Sequence, residues 1–174
     1  CTAIRRTIVP DALTQPVVDA LKKRLSETRI GNPMVEGVRM GSLAGKTQVK
    51  EVKDNLEKLL KSCELLYGNY DSLEVAGADK TKGAFFPSTL LYCDDPFRKT
   101  APHEIEAFGP VSTVMPYKNT DEVIQLTRMG RGSLCGSVFT ADDRFAREVA
   151  MGAGAWHGRI AIINPQCAGE STGH

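Results

Sequence analysis

From Val111 to Asn164 the chain alternates two hydrophobic patterns, short runs rich in Val, Ile and Leu and longer stretches spaced for one face of a helix. Val111–Tyr117 reads as a strand, and residues 120–129 as a helix begun by Asn119 or Thr120 with Glu122 close behind. Residues 134–140 read as a second strand, Thr140 as the N-cap of the next helix with Asp143 three residues on, and residues 159–164 as a last strand. Phe145, Val149 and Met151 form that helix's apolar side. Strand, helix, strand, helix, strand with short connections requires parallel pairing through right-handed crossovers. The expected fold class is therefore α/β, a mostly parallel sheet covered by helices.

The first part of the chain fits that architecture. Residues 7–9 read as a strand closed by Pro10, and Pro16 suits the first turn of a helix over residues 16–28 whose apolar stripe is Val18, Leu21 and Leu25. Lys22, Lys23 and Glu27 take its wet side. A second helix over 47–61 points Val49, Val52, Leu56, Leu59 and Leu60 inward, with Glu57 and Lys61 paired outside. Residues 63–67 and 89–93 read as strands, whereas 68–83 carries Gly, Asn, Asp and Lys without a period and reads as loop.

Two glycine clusters, Gly130-Arg131-Gly132 and Gly152-Ala153-Gly154, begin like a dinucleotide fingerprint but follow helices and lack its spacing. They read as helix ends that use left-handed glycine. Asp94-Asp95-Pro96 reads as a turn, since a metal needs more ligands nearby. Five cysteines, odd in number and without C-x-x-C, exclude a disulfide framework and a zinc site. Cys63, Cys93 and Cys135 read as small core residues. With a net charge of +1 and mixed signs throughout, no nucleic-acid stripe or polybasic membrane anchor is expected. No apolar run approaches the roughly 20 residues that cross a bilayer, so a cytoplasmic protein with neither nucleic acid nor membrane as partner is expected.

Chemistry concentrates in His103-Glu104-Ile105-Glu106-Ala107-Phe108-Gly109-Pro110-Val111. The Gly-Pro pair forces a turn into the strand that follows, which fixes a carboxylate and a ring at the mouth of that strand, a usual place for binding groups in open α/β sheets. From there Glu106 can accept hydrogen bonds from a sugar diol, and Phe108 can lie against a flat ring. His103 reads as a surface turn residue and His157 as one that packs and hydrogen-bonds. Cys1 is the candidate nucleophile, active only as thiolate, and Arg5 and Arg6 can favour that form.

Cys1, its following strand and the E-x-F-G-P turn together resemble the C-terminal, catalytic half of an NAD(P)-dependent aldehyde dehydrogenase, over nearly the whole chain. More narrowly, Gly83-Ala84-Phe85-Phe86-Pro87-Ser88-Thr89-Leu90-Leu91-Tyr92-Cys93, the stretch from Glu106 to Val111 and the ending Glu170-Ser171-Thr172-Gly173-His174 resemble the dehydrogenase part of the bifunctional ring-opening protein of phenylacetate degradation. A near relative is the semialdehyde dehydrogenase of the benzoyl-CoA pathway. The resemblance implies that Cys1 attacks an aldehyde, that Glu106 binds the nicotinamide ribose and that Phe108 flanks the nicotinamide of NADP or NAD. It also implies a CoA-linked semialdehyde as substrate, no metal, and a homo-oligomer.

By the same resemblance, residues 1–174 form one catalytic domain, cut before the nucleophile and after His174. A general-base glutamate, an oxyanion-binding asparagine and the cofactor domain would precede Cys1, and the piece alone is expected to be inactive. Two alternatives stand beside this reading. An N-terminal cysteine whose own α-amino group serves as base would describe an amidohydrolase built as an antiparallel sandwich. A non-catalytic α/β interaction domain would need no chemistry at all.

Overall fold

The structure, a computed structural model, describes residues 3–170. They form two compact units, one spanning Arg5–Pro116 and the other the described residues from Tyr117 onward together with Ala3 and Ile4. Among the described residues no helix is long and apolar enough to cross a membrane.

In the first unit β1 (Arg6–Pro10) leads into α1 (Thr14–Ser26), followed by the short strands β2 (Arg29–Ile30) and β3 (Val38–Met40), α2 (Lys46–Leu59), β4 (Glu64–Tyr67), β5 (Thr89–Tyr92), α3 (Ala101–Glu104) and β6 (Val111–Tyr117). The main sheet has the order β1-β6-β5-β4, and β2 pairs with β3 apart from it. β5 and β6 run parallel, Thr89 opposite Val111 and Tyr92 opposite Val114, while β4 is antiparallel to β5. The expected helix-covered α/β sheet is present, and it is mixed, with its antiparallel strand at one end.

Side-chain alternation explains why helices cover both faces of that sheet. Successive strand residues point to opposite sides. Leu91, Val111 and Met115 join Val49, Val52 and Leu59 of α2 in one core cluster, whereas Leu90 and Val114 join Val9 and Val18 of α1 in another. β5 and β6 are thus apolar on both faces, the pattern of strands buried between helices. Removing a side chain such as Leu90 or Leu91 from water contributes about 1.5–3 kcal/mol each. Leu60, expected inward, is exposed, because the helix ends at Leu59 and the stripe ends with it.

The second unit contains α4 (Thr120–Arg128), β7 (Ser133–Phe139), α5 (Asp143–Ala153) and β8 (His157–Ile163). β7 and β8 pair in parallel around α5, as the strand-helix-strand pattern requires, but they form a two-stranded sheet of their own while β6 belongs to the larger sheet. Asn119 caps α4, its side chain accepting from the Glu122 amide at 3.0 Å. The cap of α5 is Asp142, not Thr140. Asp142 Oδ1 accepts from the amides of Arg144 and Phe145, and Thr140 Oγ1 instead accepts from the Asp142 amide. A carboxylate at the first position with two free amides ahead of it wins over a hydroxyl two residues earlier. Met151, expected on the apolar side, is 83% exposed; Ala146, Val149 and Ala153 line that side instead.

Gly130 and Gly132 take positive φ at the end of α4, as expected of a helix end. The other cluster differs: Gly154 is right-handed, and Gly152 is small because a Cβ there would lie 2.7 Å from Ile124 Cδ1. Close approach of α4 and α5, not chain reversal, accounts for that glycine.

Candidate functional site

The short helix α3 ends at Glu104, Ile105 turns extended, and the chain then enters β6 through Glu106-Ala107-Phe108-Gly109-Pro110. Alternation again sorts the residues: Ala107 is buried and Ile105 packs on the α2 cluster, while Glu106 and Phe108 are exposed. Phe108 is 58% exposed and its φ is 55°, a left-handed backbone on a residue with a Cβ. Non-glycine residues rarely adopt this region, at a cost of order 1–3 kcal/mol, and such strain concentrates at ligand sites. An apolar ring more than half exposed on a left-handed backbone makes Phe108 a candidate for contact with a ligand.

α2 holds this turn in place. Gln48 Nε2 donates to the Phe108 carbonyl at 2.7 Å, and Asn55 Nδ2 donates to the Glu106 carbonyl at 3.1 Å. Between them Val52, fully buried, lies under Gly109, where a Cβ would come within 2.7 Å of Val52 Cγ2. Gly109 is therefore required for space. Below the turn, the Thr89 amide donates to the Pro110 carbonyl at 2.8 Å and ties it to β5.

His103, expected at the surface, is only 1% exposed. Arg6 Nη1 lies 2.9 Å from its Nδ1, and its Nε2 lies 2.8 Å from the Pro96 carbonyl. A guanidinium only donates, so Nδ1 accepts and Nε2 carries the proton that it donates to Pro96. Burial first, and the neighbouring Arg6 and Arg5, lower the His103 pKa, in keeping with a neutral ring. Burial also lowers Arg6, to about 10, with Arg5 adding to the effect. The ring thus joins β1, α3 and the turn at Pro96. A four-residue helix gives no periodic signal, which is why sequence reasoning left His103 outside.

Cys1 lies outside the described residues. Cys63 and Cys93 are buried side by side in the α2 cluster as expected. The hydrogen bond from Cys93 holds Cys63 down, while that bond and burial push Cys93 well up. Cys135 is half-buried, and Cys167 Sγ accepts from the Asn164 amide at 3.3 Å. His157 packs as expected, its Nδ1 3.0 Å from the Ala153 carbonyl. Asp94 pairs with Lys99, and Asp95 Oδ1 accepts from the Arg98 amide, so both acids serve the turn.

Gln48 and Asn55 are the site residues that sequence reasoning missed. They lie seven apart, two turns on one row of α2, flanking the apolar stripe at Val52. Two side-chain amides bordering an apolar stripe were a signal for a docked backbone.

Residues 1–170 match the aldehyde dehydrogenase family. The chain is 37% identical over its full 174 residues to 3,4-dehydroadipyl-CoA semialdehyde dehydrogenase of Aromatoleum evansii, covering 34% of that protein. It is 46% identical over 136 residues, 78% of this chain and 39% of the relative, to Protein MaoC of Klebsiella aerogenes. The chain thus spans between a third and two fifths of the length of these relatives. Among solved structures, betaine aldehyde dehydrogenase from Staphylococcus aureus in complex with NAD+ aligns with a TM-score of 0.75 at 25% identity, over 90% of this chain and 30% of the other.

Proposed function

The chain belongs to the aldehyde dehydrogenase family, and we propose on that footing that it carries the nucleophile and the nicotinamide-facing turn of an enzyme that oxidises a CoA-linked semialdehyde with NAD or NADP. The observation that supports this most is the exposed pair Glu106 and Phe108, held on a strained turn at the head of β6. A carboxylate two residues from an exposed ring fits a ribose diol joined to a flat base. The aldehyde's CoA linkage rests on the likeness to the Aromatoleum evansii relative, and the aromatic-degradation setting on the resemblance in the Gly83 to Cys93 and Glu106 to Val111 stretches.

In this reading the Cys1 thiolate attacks the aldehyde carbon, and the carbonyl oxygen takes up the charge of a thiohemiacetal. The dinucleotide supplies the hydride acceptor. Loss of hydride from the carbon leaves a thioester on Cys1, and water then releases the acid and restores the thiol; covalent capture divides one hard oxidation into two easier steps. Glu106 accepts hydrogen bonds from the ribose, and Phe108 limits the tilt of the ring from which reaction geometry is set. Misplacement by about 1 Å is enough to cost on the order of a hundredfold in rate.

The parallel pairs β5–β6 and β7–β8 do not fit the antiparallel sandwich of an N-terminal-cysteine amidohydrolase. Free thiols at Cys63, Cys93, Cys135 and Cys167 accord with a reducing compartment, the cytoplasm. The homo-oligomer implied by the family resemblance is supported by Leu134, Phe139 and Ile162, apolar side chains left exposed on β7 and β8.

Cys1→Ser in the protein that carries this chain tests the assignment. Expected is loss of single-turnover NAD(P)H formation with dinucleotide affinity nearly unchanged. A normal burst from the serine variant contradicts it.

A further inference from the structure

We propose that Asn55, together with Gln48, is a positioning residue for hydride transfer, acting through the two main-chain carbonyls that bracket Ala107. The proposal rests on the reading of Glu106 and Phe108 given above. Its basis is a pattern of four hydrogen bonds. Asn55 Nδ2 donates to the Glu106 carbonyl at 3.1 Å while its Oδ1 accepts from Lys58 Nζ at 2.9 Å. Gln48 Nε2 donates to the Phe108 carbonyl at 2.7 Å while its Oε1 accepts from the Ala44 amide at 3.0 Å. Each amide is engaged at both ends, so neither can flip without losing two bonds. Both reach the turn's backbone from α2, and Val52 between them fills the space under Gly109.

The consequence is geometric. Fixing the Glu106 carbonyl fixes the peptide plane that follows Glu106, and fixing the Phe108 carbonyl fixes ψ at the residue whose φ is already left-handed at 55°. With only two soft dihedrals per residue, the backbone from which the Glu106 and Phe108 side chains leave, and so the direction of each Cα–Cβ bond, is then held by α2. Neither amide touches the aldehyde or the dinucleotide in this role. A loosened turn still offers a carboxylate and a ring, but no longer at one fixed angle, and a small misplacement costs far more in rate than in affinity.

The test compares Asn55→Asp, Asn55→Ala and Asn55→Gln with Glu106→Gln in the protein that carries this chain. Asn55→Asp keeps the shape and sets a carboxylate against the Glu106 carbonyl; Asn55→Ala removes the donor without a new charge and suits a helix, so it serves where the aspartate variant fails to fold. Read out are the single-turnover hydride-transfer rate, the dinucleotide dissociation constant and the thermal midpoint. Expected is a rate roughly tenfold lower in the Asp and Ala variants, a dissociation constant changed by less than about threefold, and recovery of most of the rate in the Gln variant, whose amide still donates. A purely structural role would lower the thermal midpoint and leave the rate of the folded enzyme at wild-type level, and that result overturns the proposal. If Glu106→Gln is slow while the Asn55 variants are normal, the positioning role fails and the reading of Glu106 stands. If none of them is slow, both fall.

Discussion

The two units of this chain solve the same problem to different degrees. In Arg5–Pro116 the central strands are covered on both faces, Leu91 and Met115 by α2 and Leu90 and Val114 by α1, and each of these four is buried. Among the described residues the unit from Tyr117 onward has a two-stranded sheet, and its α5 buries Ala146, Val149 and Ala153 while Leu134, Phe139 and Ile162 on β7 and β8 remain in water. A two-stranded sheet has too little area to enclose its own apolar residues. The difference shows where rigidity is available. The turn that carries Glu106 and Phe108 is built on the covered sheet and pinned to its helix, whereas the second unit presents apolar strand residues of the kind other protein surfaces cover.

The largest expected effect contrasts one residue from each unit. Leu91→Ala should destabilise the first unit by about 2–5 kcal/mol, since it removes a fully buried side chain from a closed core. Leu134→Ala should change stability by no more than about 0.5 kcal/mol, because Leu134 is already exposed. Denaturant unfolding of the two variants measures both, and comparable losses would show that β7 and β8 are as enclosed as the main sheet.

Much of the architecture behind that contrast is legible in the amino-acid sequence. The 3.6-residue spacing locates α1, α2, α4 and α5, and the Val- and Leu-rich runs locate β1 and β4 to β8, because long amphipathic or wholly apolar segments leave the chain few choices. What escapes is short or three-dimensional. β2 and β3, two and three residues long, are too brief to show a period, and α3 is a single turn. Leu60 continues a helical stripe past the end of α2, and Met151 lies two residues from Val149, on the side of α5 away from the stripe of Ala146, Val149 and Ala153. For the candidate site, the exposed placement of Glu106 and Phe108 ahead of β6 is legible from the Gly-Pro pair after them, since a forced turn constrains the neighbouring backbone. His103 is not, because its burial depends on Arg6, 97 residues away in the chain. Asn55 and Gln48 bond to carbonyls 51 and 60 residues distant, which no local pattern encodes.

A smaller effect sharpens the comparison through pH. His103 joins only elements of the first unit, and burial, helped by Arg6 and Arg5 against the opposing Pro96 carbonyl and Glu104, holds its pKa below the ordinary value of 6.5. The unfolded chain therefore takes up the proton first. The stability tied to the neutral ring is complete above pH 6.5 and is lost as pH falls through the lowered folded-state value. Thermal midpoints between about pH 5 and about pH 7.5 should fall on the acid side, and less steeply in His103→Gln, which keeps an acceptor for Arg6 and a donor for Pro96. Equal pH dependence in both proteins would mean that another group carries the acid sensitivity.

The central proposal is that the turn before β6 orients a nicotinamide, and Glu106→Gln tests it most directly. In the protein that carries this chain, the substitution should slow single-turnover hydride transfer by one to two orders of magnitude while the dinucleotide dissociation constant changes much less, because lost orientation costs more than one lost bond. A wild-type rate in Glu106→Gln would make Glu106 a solvated turn acid and contradict the account.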